Sequence, residues 1–361
     1  MKIIRHILVI SLASAFIVAC EVKDFTDSIE KVEAGQDTTA PVVQIDYPAE
    51  GTAIRVREDT TSIDIEFEVK DDIEIQTVTL ELDGNQIGEF SEFKDYRWFI
   101  KEYNYEPITN GTHTLTVNAV DTEGKDASTS VTFEKIAPYE TQYEKEIFYM
   151  PFNGNAMELI TISTAEEVGN PGYESGMFEQ AFKGAAESYL TYPVDTLTND
   201  SISAAFWYHL DPDATVTKAG VLTVGPPSEN DGDRKKGFRL FRVGNETNQT
   251  FKLNIGKGET EAWYTAGGDY SMDPATAGWV HVAFTISTDS VAIYLDGEYA
   301  TGGSFEGPIS WTDCEILSIG SGAPNFTVWS HLSDVNSLYD ELRFFNKFLT
   351  QQEIQAIMNE Q

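Results

Sequence analysis

The chain has 361 residues, with 59 acidic and 24 basic side chains and a formal net charge of −35. Such an excess of negative charge argues against binding to nucleic acid, and against attachment to an anionic membrane through basic residues. Aromatic residues make up 12% of the chain, which is high for a disordered protein. Composition and length together favour a strand-rich protein with more than one folded domain.

The first 20 residues have the pattern of an export signal. Lys2 and Arg5 precede an apolar run over residues 7–18, which is shorter than the roughly 20 residues of a membrane-spanning helix. The run ends in Ile17-Val18-Ala19-Cys20, which resembles the lipobox of bacterial lipoproteins. The resemblance implies a signal peptide over residues 1–19 and a lipid on Cys20, so we expect attachment to a membrane through lipid.

Residues 20–39 are polar, acidic and without periodicity, which predicts a flexible tether. Acidic residues directly after Cys20 resemble the surface-export signal of Bacteroidota lipoproteins, which implies an outer-membrane protein exposed at the cell surface. With Cys20 lipidated, Cys314 would have no disulfide partner, and we interpret it as a buried, small apolar residue in a strand.

Residues 40–135 read as short strands joined by turns. Residues 62–70 alternate apolar and polar side chains, the pattern of a half-buried antiparallel strand, and Asp83-Gly84 predicts a hairpin turn. Several motifs resemble bacterial immunoglobulin-like domains, which implies a β-sandwich spacer: they lie at 40–43, 48–51, 78–84 and 110–121. Residues 136–145 are predicted to be a linker.

Residues 146–361 are predicted to form a second all-β domain. Residues 279–286 and 291–295 are strand-like, Asp296-Gly297 predicts a hairpin, and Thr350 with Glu353 forms a capping box that begins a short helix ending near residue 358. Six segments resemble laminin-G-like, concanavalin A-like jelly-roll domains: 148–155, 176–184, 201–208, 278–285, 291–297 and 338–346. The predicted fold is an immunoglobulin-like sandwich followed by a concanavalin A-like jelly roll with a C-terminal helix.

Some glucan hydrolases share this jelly roll and use two carboxylates about 5 Å apart on one strand face. The nearest match here, Glu229, Asp231 and Asp233, lacks the final glutamate of that motif, and the intervening Asn and Gly indicate a loop. The five histidines show no metal-binding spacing. We therefore expect a domain without catalytic activity, with a divergent glycoside hydrolase as a less favoured alternative.

Calcium prefers oxygen ligands from carboxylates, amides and carbonyls. In many laminin-G-like domains one ion joins the first turn to the last strand, and this resemblance implies Asn153, Asn155 and Asp340 as ligands. A simple turn at 153–155 with Asp340 at the surface is an equally favoured interpretation.

Sugars are bound by stacking on aromatic rings and by hydrogen bonds to their hydroxyl groups. Trp263 and Trp329 are the preferred candidates, and the wider set adds Tyr264, His331, Trp207 and Arg239. Packing is also expected for Trp207. The basic side chains between Arg234 and Arg242, with Arg239 and Phe241 on one face of a strand, could accept an acidic sugar or form a solvated hairpin tip.

The combination of lipobox, tether, spacer and lectin-like domain predicts a surface lipoprotein that captures carbohydrate. It resembles the auxiliary binding lipoproteins of Bacteroidota polysaccharide-uptake systems, which implies polysaccharide or oligosaccharide ligands and outer-membrane transporter components as partners. The alternative from another class is a protein-binding adhesin or a structural subunit of a surface complex.

Overall fold

A computed structural model describes residues 35–213, 217–227, 231–327 and 333–360. The predicted signal peptide, the predicted lipidation site Cys20, most of the predicted tether, and the candidates Trp329 and His331 lie outside these ranges. Among the described residues, no helix combines the length and apolar character needed to cross a membrane.

The N-terminal domain is a sandwich of two sheets, as the alternating strands predict. One sheet has the order β1-β3-β6, and the other has the order β2-β8-β7-β4-β5, in which β2 runs parallel to β8. The strand bounds are β1 Val42–Tyr47, β2 Thr52–Arg55, β3 Thr60–Lys70, β4 Ile75–Leu82, β5 Asn85–Phe90, β6 Trp98–Thr109, β7 Gly111–Asp121 and β8 Asp126–Ile136.

The periodicity of β3 is confirmed, because Ile63, Ile65, Phe67 and Val69 are buried while the residues between them are more exposed. The hairpin between β4 and β5 is also confirmed: Asp83 and Gly84 both have positive φ, 52° and 76°. Residue contacts group the chain into two compact units, the first of 35–49, 64–103 and 114–131, and the second of 50–63, 104–113 and 132–360.

The C-terminal domain contains a seven-stranded sheet, β12-β15-β24-β17-β18-β19-β20, and an eight-stranded sheet, β13-β14-β25-β16-β21-β22-β23 with β9 beside β25. A small hairpin pairs β10 with β11.

The strand bounds of this domain are β9 Glu146–Met150, β10 Met157–Glu158, β11 Ser163–Thr164, β12 Glu166–Val168, β13 Gly172–Ser175, β14 Gln180–Lys183, β15 Tyr189–Pro193, β16 Ile202–His209, β17 Lys218–Gly225, β18 Phe238–Asn245, β19 Asn248–Gly256, β20 Glu261–Thr265, β21 Trp279–Ile286, β22 Ser290–Leu295, β23 Glu298–Ser304, β24 Ile316–Ile319 and β25 Leu338–Phe345. Short 3-10 helices span Asp231–Lys235 and Gly268–Tyr270.

Alternate residues of both sheets fill one hydrophobic core. Phe206 and Tyr208 of β16 and Phe238 and Leu240 of β18 belong to it, so the residues between them face outwards. Within the core, Arg242 forms a fully buried ion pair with Asp334. Arg242 is therefore buried on the core face of β18, and the alternative of a solvated hairpin tip is wrong for this residue.

The C-terminal helix α1 spans Gln351–Glu360 and confirms the predicted capping box. The Thr350 amide and hydroxyl donate to the Glu353 carboxylate at 2.8 Å, and the Glu353 amide donates to the Thr350 hydroxyl at 3.3 Å. Ile354 and Ile357 are buried against the outer face of the eight-stranded sheet. This packing fixes the short helix, which would be marginal in isolation.

Cys314 corrects one expectation. It lies two residues before β24, outside any strand, and it is half-buried. Burial raises the pKa of its thiol to about 11, so the side chain stays protonated at neutral pH. The interpretation as an unreactive thiol is consistent with this environment, but the placement in a strand is wrong.

Candidate functional site

A row of mostly polar side chains crosses the outer face of the seven-stranded sheet. Residues directly opposite each other on paired strands point to the same face of a sheet, so the side chains of this row share one face. On β18 and β19 the neighbouring residues along the strand, Leu240 and Leu253, belong to the core. The row therefore faces away from the core. In strand order it consists of Thr191, Ser318, Thr223, Arg239, Asn254 and Trp263.

Arg239 occupies the middle of this row and is 1% exposed. Its guanidinium donates to the carbonyl oxygens of Lys236 and Asp233 at 2.9 and 2.8 Å, and to Asn254 Oδ1 at 3.2 Å. Burial lowers its pKa to about 10. Both alternatives considered for Arg239, a contact to an acidic sugar and a solvated hairpin tip, are wrong in this structure, because protein atoms enclose the cation.

Residues 321–327 cover the row above β17 and β18. Asn325 Nδ2 donates to the carbonyl oxygens of Thr223 and Ile316 at 2.8 Å each, and the Phe326 ring lies 4.8 Å from the Arg239 guanidinium. This segment closes the middle of the row and leads directly into the residues that include Trp329 and His331.

Trp263 lies at the end of the row, on β20, and is partly exposed. Its indole Nε1 donates to Glu261 Oε1 at 3.1 Å, and Lys252 Nζ lies 4.6 Å from the ring centroid. Arg234 Nε approaches the two Glu261 oxygens at 2.8 and 2.7 Å. We call Trp263, Glu261, Lys252 and Arg234 the Trp263 surface: a partly exposed indole surrounded by charged groups.

Sequence reasoning found Trp263 but missed Glu261, Lys252 and Asn254. The position of Glu261 could have been predicted from the sequence, because residues two apart on a strand, such as Glu261 and Trp263, share a face. Lys252 and Asn254 come from the neighbouring strand, and their positions depend on the register between β19 and β20, which pairs Asn254 with Trp263. Sequence alone does not fix that register.

Tyr264 does not join the Trp263 surface. It lies on the opposite face of β20, packs against the core, and donates its hydroxyl to the Ser304 carbonyl oxygen at 2.8 Å. Burial raises its pKa. Tyr264 thus contributes to the joining of β20 and β23, and the prediction that it accompanies Trp263 at a binding surface is wrong for this structure.

Trp207 faces outwards from the eight-stranded sheet, so the core separates it from Trp263. It is 9% exposed and packs edge-on against His281, with ring centroids 5.3 Å apart, and against Phe178 at 6.4 Å. The packing interpretation is thus the better one. His281 is fully buried, and this burial lowers its pKa to about 4.

Asp340, the predicted calcium ligand on β25, is fully buried rather than at the surface. Its Oδ2 accepts from the Phe178 amide at 2.9 Å, whereas its Oδ1 has no hydrogen-bond partner among the described residues. Burial raises the pKa of this carboxyl to about 7. A buried carboxylate oxygen without a donor fits a cation ligand.

The two predicted asparagine ligands differ. Asn153 Oδ1 accepts from the Gln180 amide at 3.3 Å, and the turn at 176–180 packs directly on Asp340: a Cβ on Gly176 would lie 2.5 Å from Asp340 Oδ2. Asn155 is exposed, and its Oδ1 accepts from the Met157 amide at 3.0 Å within its own turn. Asn153 thus contacts the turn that packs on Asp340, whereas Asn155 bonds within its own turn.

Comparison with known families agrees with this architecture. Residues 183–355 match the model described as the Concanavalin A-like lectin/glucanases superfamily, of the laminin G type, and residues 41–117 match the model of a bacterial Ig domain. The chain contains a bacterial Ig domain and a concanavalin A-like domain. The predicted domain content and the all-β fold are therefore confirmed. No curated protein matches the chain.

Solved structures give weaker similarities. Domain 4 of AbnA, a GH43 extracellular arabinanase from Geobacillus stearothermophilus in complex with arabinotriose, is 17% identical, with 59% of this chain and 99% of that chain covered and a TM-score of 0.45. The binding domain of botulinum neurotoxin DC in complex with SialylT is 13% identical, with 60% and 52% covered and a TM-score of 0.45. This chain spans about half the length of the toxin chain. The bound ligands are those of the two named proteins.

Proposed function

We propose that this protein is a non-catalytic surface lipoprotein that binds carbohydrate through its concanavalin A-like domain, at the Trp263 surface. The observation that supports this most directly is the partly exposed Trp263 indole at the open end of the polar row, with Glu261 and Lys252 beside it.

The Trp263 surface has the two kinds of group that sugar recognition needs. An indole offers a flat apolar face to the C–H groups of a sugar ring. Carboxylate oxygens accept hydrogen bonds from sugar hydroxyls, and ammonium or guanidinium groups donate to them. The ion pair between Arg234 and Glu261 and the hydrogen bond from Trp263 to Glu261 hold these groups in place, which lowers the entropic cost of binding.

Affinity electrophoresis and titration calorimetry of the full chain against a panel of neutral and acidic polysaccharides test this proposal. We expect one glycan class to bind, and Trp263→Ala to weaken binding at least tenfold. Trp279→Ala is the matched control, because Trp279 is also partly exposed but lies on the other sheet beside His209. Failure of every glycan to bind the folded chain would contradict the proposal, as would equal binding by Trp263→Ala and wild type.

For calcium, we propose one structural ion held by Asp340, with the Asn153 side chain and carbonyl oxygens of the 176–180 turn completing the shell. The ion would compensate the buried carboxylate and fasten that turn to β25. We expect calcium to raise the melting temperature of the metal-free protein. Asp340→Asn should abolish the part of this increase that comes from the ion at Asp340. An equal calcium response in Asp340→Asn would contradict this site.

The lipid anchor and the outer-membrane, cell-surface location are supported by the sequence of residues 1–20 and the acidic tether. We propose that the Ig domain spaces the carbohydrate-binding domain from the membrane, beside transporter components of an uptake system. Incorporation of labelled fatty acid should depend on Cys20, and added protease should cleave the protein on intact cells. Release of the wild-type protein into the medium without a lipid on Cys20 would contradict this location.

A further inference from the structure

Three carboxylates come together in the N-terminal domain, away from the sites already described. Asp37 precedes β1, and Asp71 and Asp72 lie in the turn between β3 and β4. Each of them contributes one carboxylate oxygen, and these three oxygens lie within 4.8 Å of one another. The tertiary structure alone makes this cluster, because more than 30 residues separate Asp37 from Asp71 along the chain.

Two of the three side chains present oxygens that the described protein leaves unpaired. Asp37 is 8% exposed, and its Oδ2 is buried without a hydrogen-bond partner among the described residues. Asp71 Oδ1 is also buried and has no hydrogen-bond partner among the described residues. Since a buried carboxylate oxygen is ordinarily paired, two such oxygens in one cluster are suited to bind a cation.

The other oxygens of the cluster already have donors, and these donors orient the carboxylates. Asp71 Oδ2 accepts from the amides of Ile73 and Glu74 at 2.8 and 2.7 Å, and Asp72 Oδ1 accepts from the Thr39 hydroxyl at 2.7 Å. This preorganisation leaves the unpaired oxygens of Asp37 and Asp71 available to a ligand.

Lys125 supplies only part of the compensating charge. Its Nζ lies 2.9 Å from Asp37 Oδ1 and 3.4 Å from Asp121 Oδ2. Asp121 is fully buried, so the single positive charge of Lys125 is shared between two carboxylates. A divalent cation at the cluster would add positive charge without displacing Lys125 from Asp37 Oδ1.

Coordination chemistry favours calcium among common divalent cations. Calcium accepts oxygen ligands from separate segments in a flexible geometry, whereas magnesium requires a near-ideal octahedron and gives up its water reluctantly. The three oxygens of this cluster come from two separate segments and lie within 4.8 Å of one another, close enough for one calcium ion to contact all of them. Three protein ligands also leave room for water molecules in the remaining positions.

We propose that Asp37, Asp71 and Asp72 bind one calcium ion in the N-terminal domain, independently of the Asp340 site. The ion would join the segment before β1 to the turn between β3 and β4. Calcium would thereby stabilise the start of the domain, directly after the predicted tether.

Calorimetric titration of the metal-free full chain with calcium chloride tests the site. We expect the double variant Asp71→Asn, Asp72→Asn to bind one calcium fewer than wild type, while Asp340→Asn retains this site. The asparagines keep an oxygen for the Ile73 and Glu74 amides, which preserves the turn. Asp46→Asn is the matched control, because Asp46 is an exposed aspartate of β1 outside the cluster, and it should bind as wild type does.

Hydrogen–deuterium exchange of the wild-type chain gives a test that needs no variant. Added calcium should slow exchange in peptides that cover residues 35–39 and 71–74. Equal stoichiometry and Kd in wild type and double variant would overturn the proposal, as would unchanged exchange in both segments. Protection by magnesium but not by calcium would overturn the choice of ion.

Discussion

His281 should make the stability of the C-terminal domain sensitive to acid. Its imidazole is buried beside Trp207, and burial lowers its pKa from 6.5 to about 4. The unfolded chain therefore binds this proton more tightly than the folded chain. It follows that the contribution of His281 is fully present above about pH 6.5 and is lost as the pH falls towards 4.

The size of the effect follows from the two pKa values. Each pKa unit that separates the folded from the unfolded state corresponds to about 1.4 kcal/mol. His281 alone should thus lower the free energy of unfolding by about 3 kcal/mol between pH 7.5 and pH 4, with about 2 kcal/mol already lost at pH 5.

The substitution His281→Leu isolates this contribution from those of other acidic groups. Neither ring nitrogen of His281 has a hydrogen-bond partner among the described residues, so leucine breaks no described hydrogen bond and has a similar volume. Denaturant unfolding at pH 7.5 and pH 5, followed by tryptophan fluorescence, should show an acid loss smaller by about 2 kcal/mol in the variant. Five of the six tryptophans lie after residue 146, so the signal reports mainly on this domain.

Thr285→Val is the control for this experiment. Thr285 is also fully buried on β21, and its hydroxyl has no partner among the described residues, but it does not titrate. Thr285→Val should therefore keep the wild-type acid loss. If His281→Leu loses as much stability between pH 7.5 and pH 5 as wild type, the buried neutral imidazole is not the cause and the reasoning is refuted.

Three further substitutions test the packing of the C-terminal domain. Arg242→Met leaves Asp334 buried without its cation and should lower the free energy of unfolding in urea by about 3–5 kcal/mol; a loss under 1 kcal/mol would contradict the ion pair. Gly220→Ala places a Cβ 2.0 Å from the Gly322 backbone nitrogen and should cost about 1–3 kcal/mol in the same assay, where wild-type stability would argue against this contact. Thr350→Ala removes the helix cap and should cost about 1 kcal/mol, measured as a lower melting temperature that Thr350→Ser largely restores.

Local patterns predicted much of this fold because their causes are local. The alternation in β3, the Asp83-Gly84 turn and the capping box at Thr350 each depend on residues within a few positions of one another. The opposite faces of Arg239 and Arg242 followed from the same period of two. What periodicity did not reveal is that both faces are buried: residues 321–327 cover the outer face, and the core encloses Arg242.

The sequence by itself determined the order of the domains, the strand-rich character of both, and Trp263 as a candidate for sugar binding. Tertiary structure decided which partners each side chain has. It placed Glu261 and Lys252 beside Trp263, separated Tyr264 and Trp207 from it, and buried Asp340. It also brought Asp37 to Asp71 and Asp72. The physical reason is that strand register and loop packing depend on contacts between distant segments, whereas a turn or a cap is determined by a few adjacent residues.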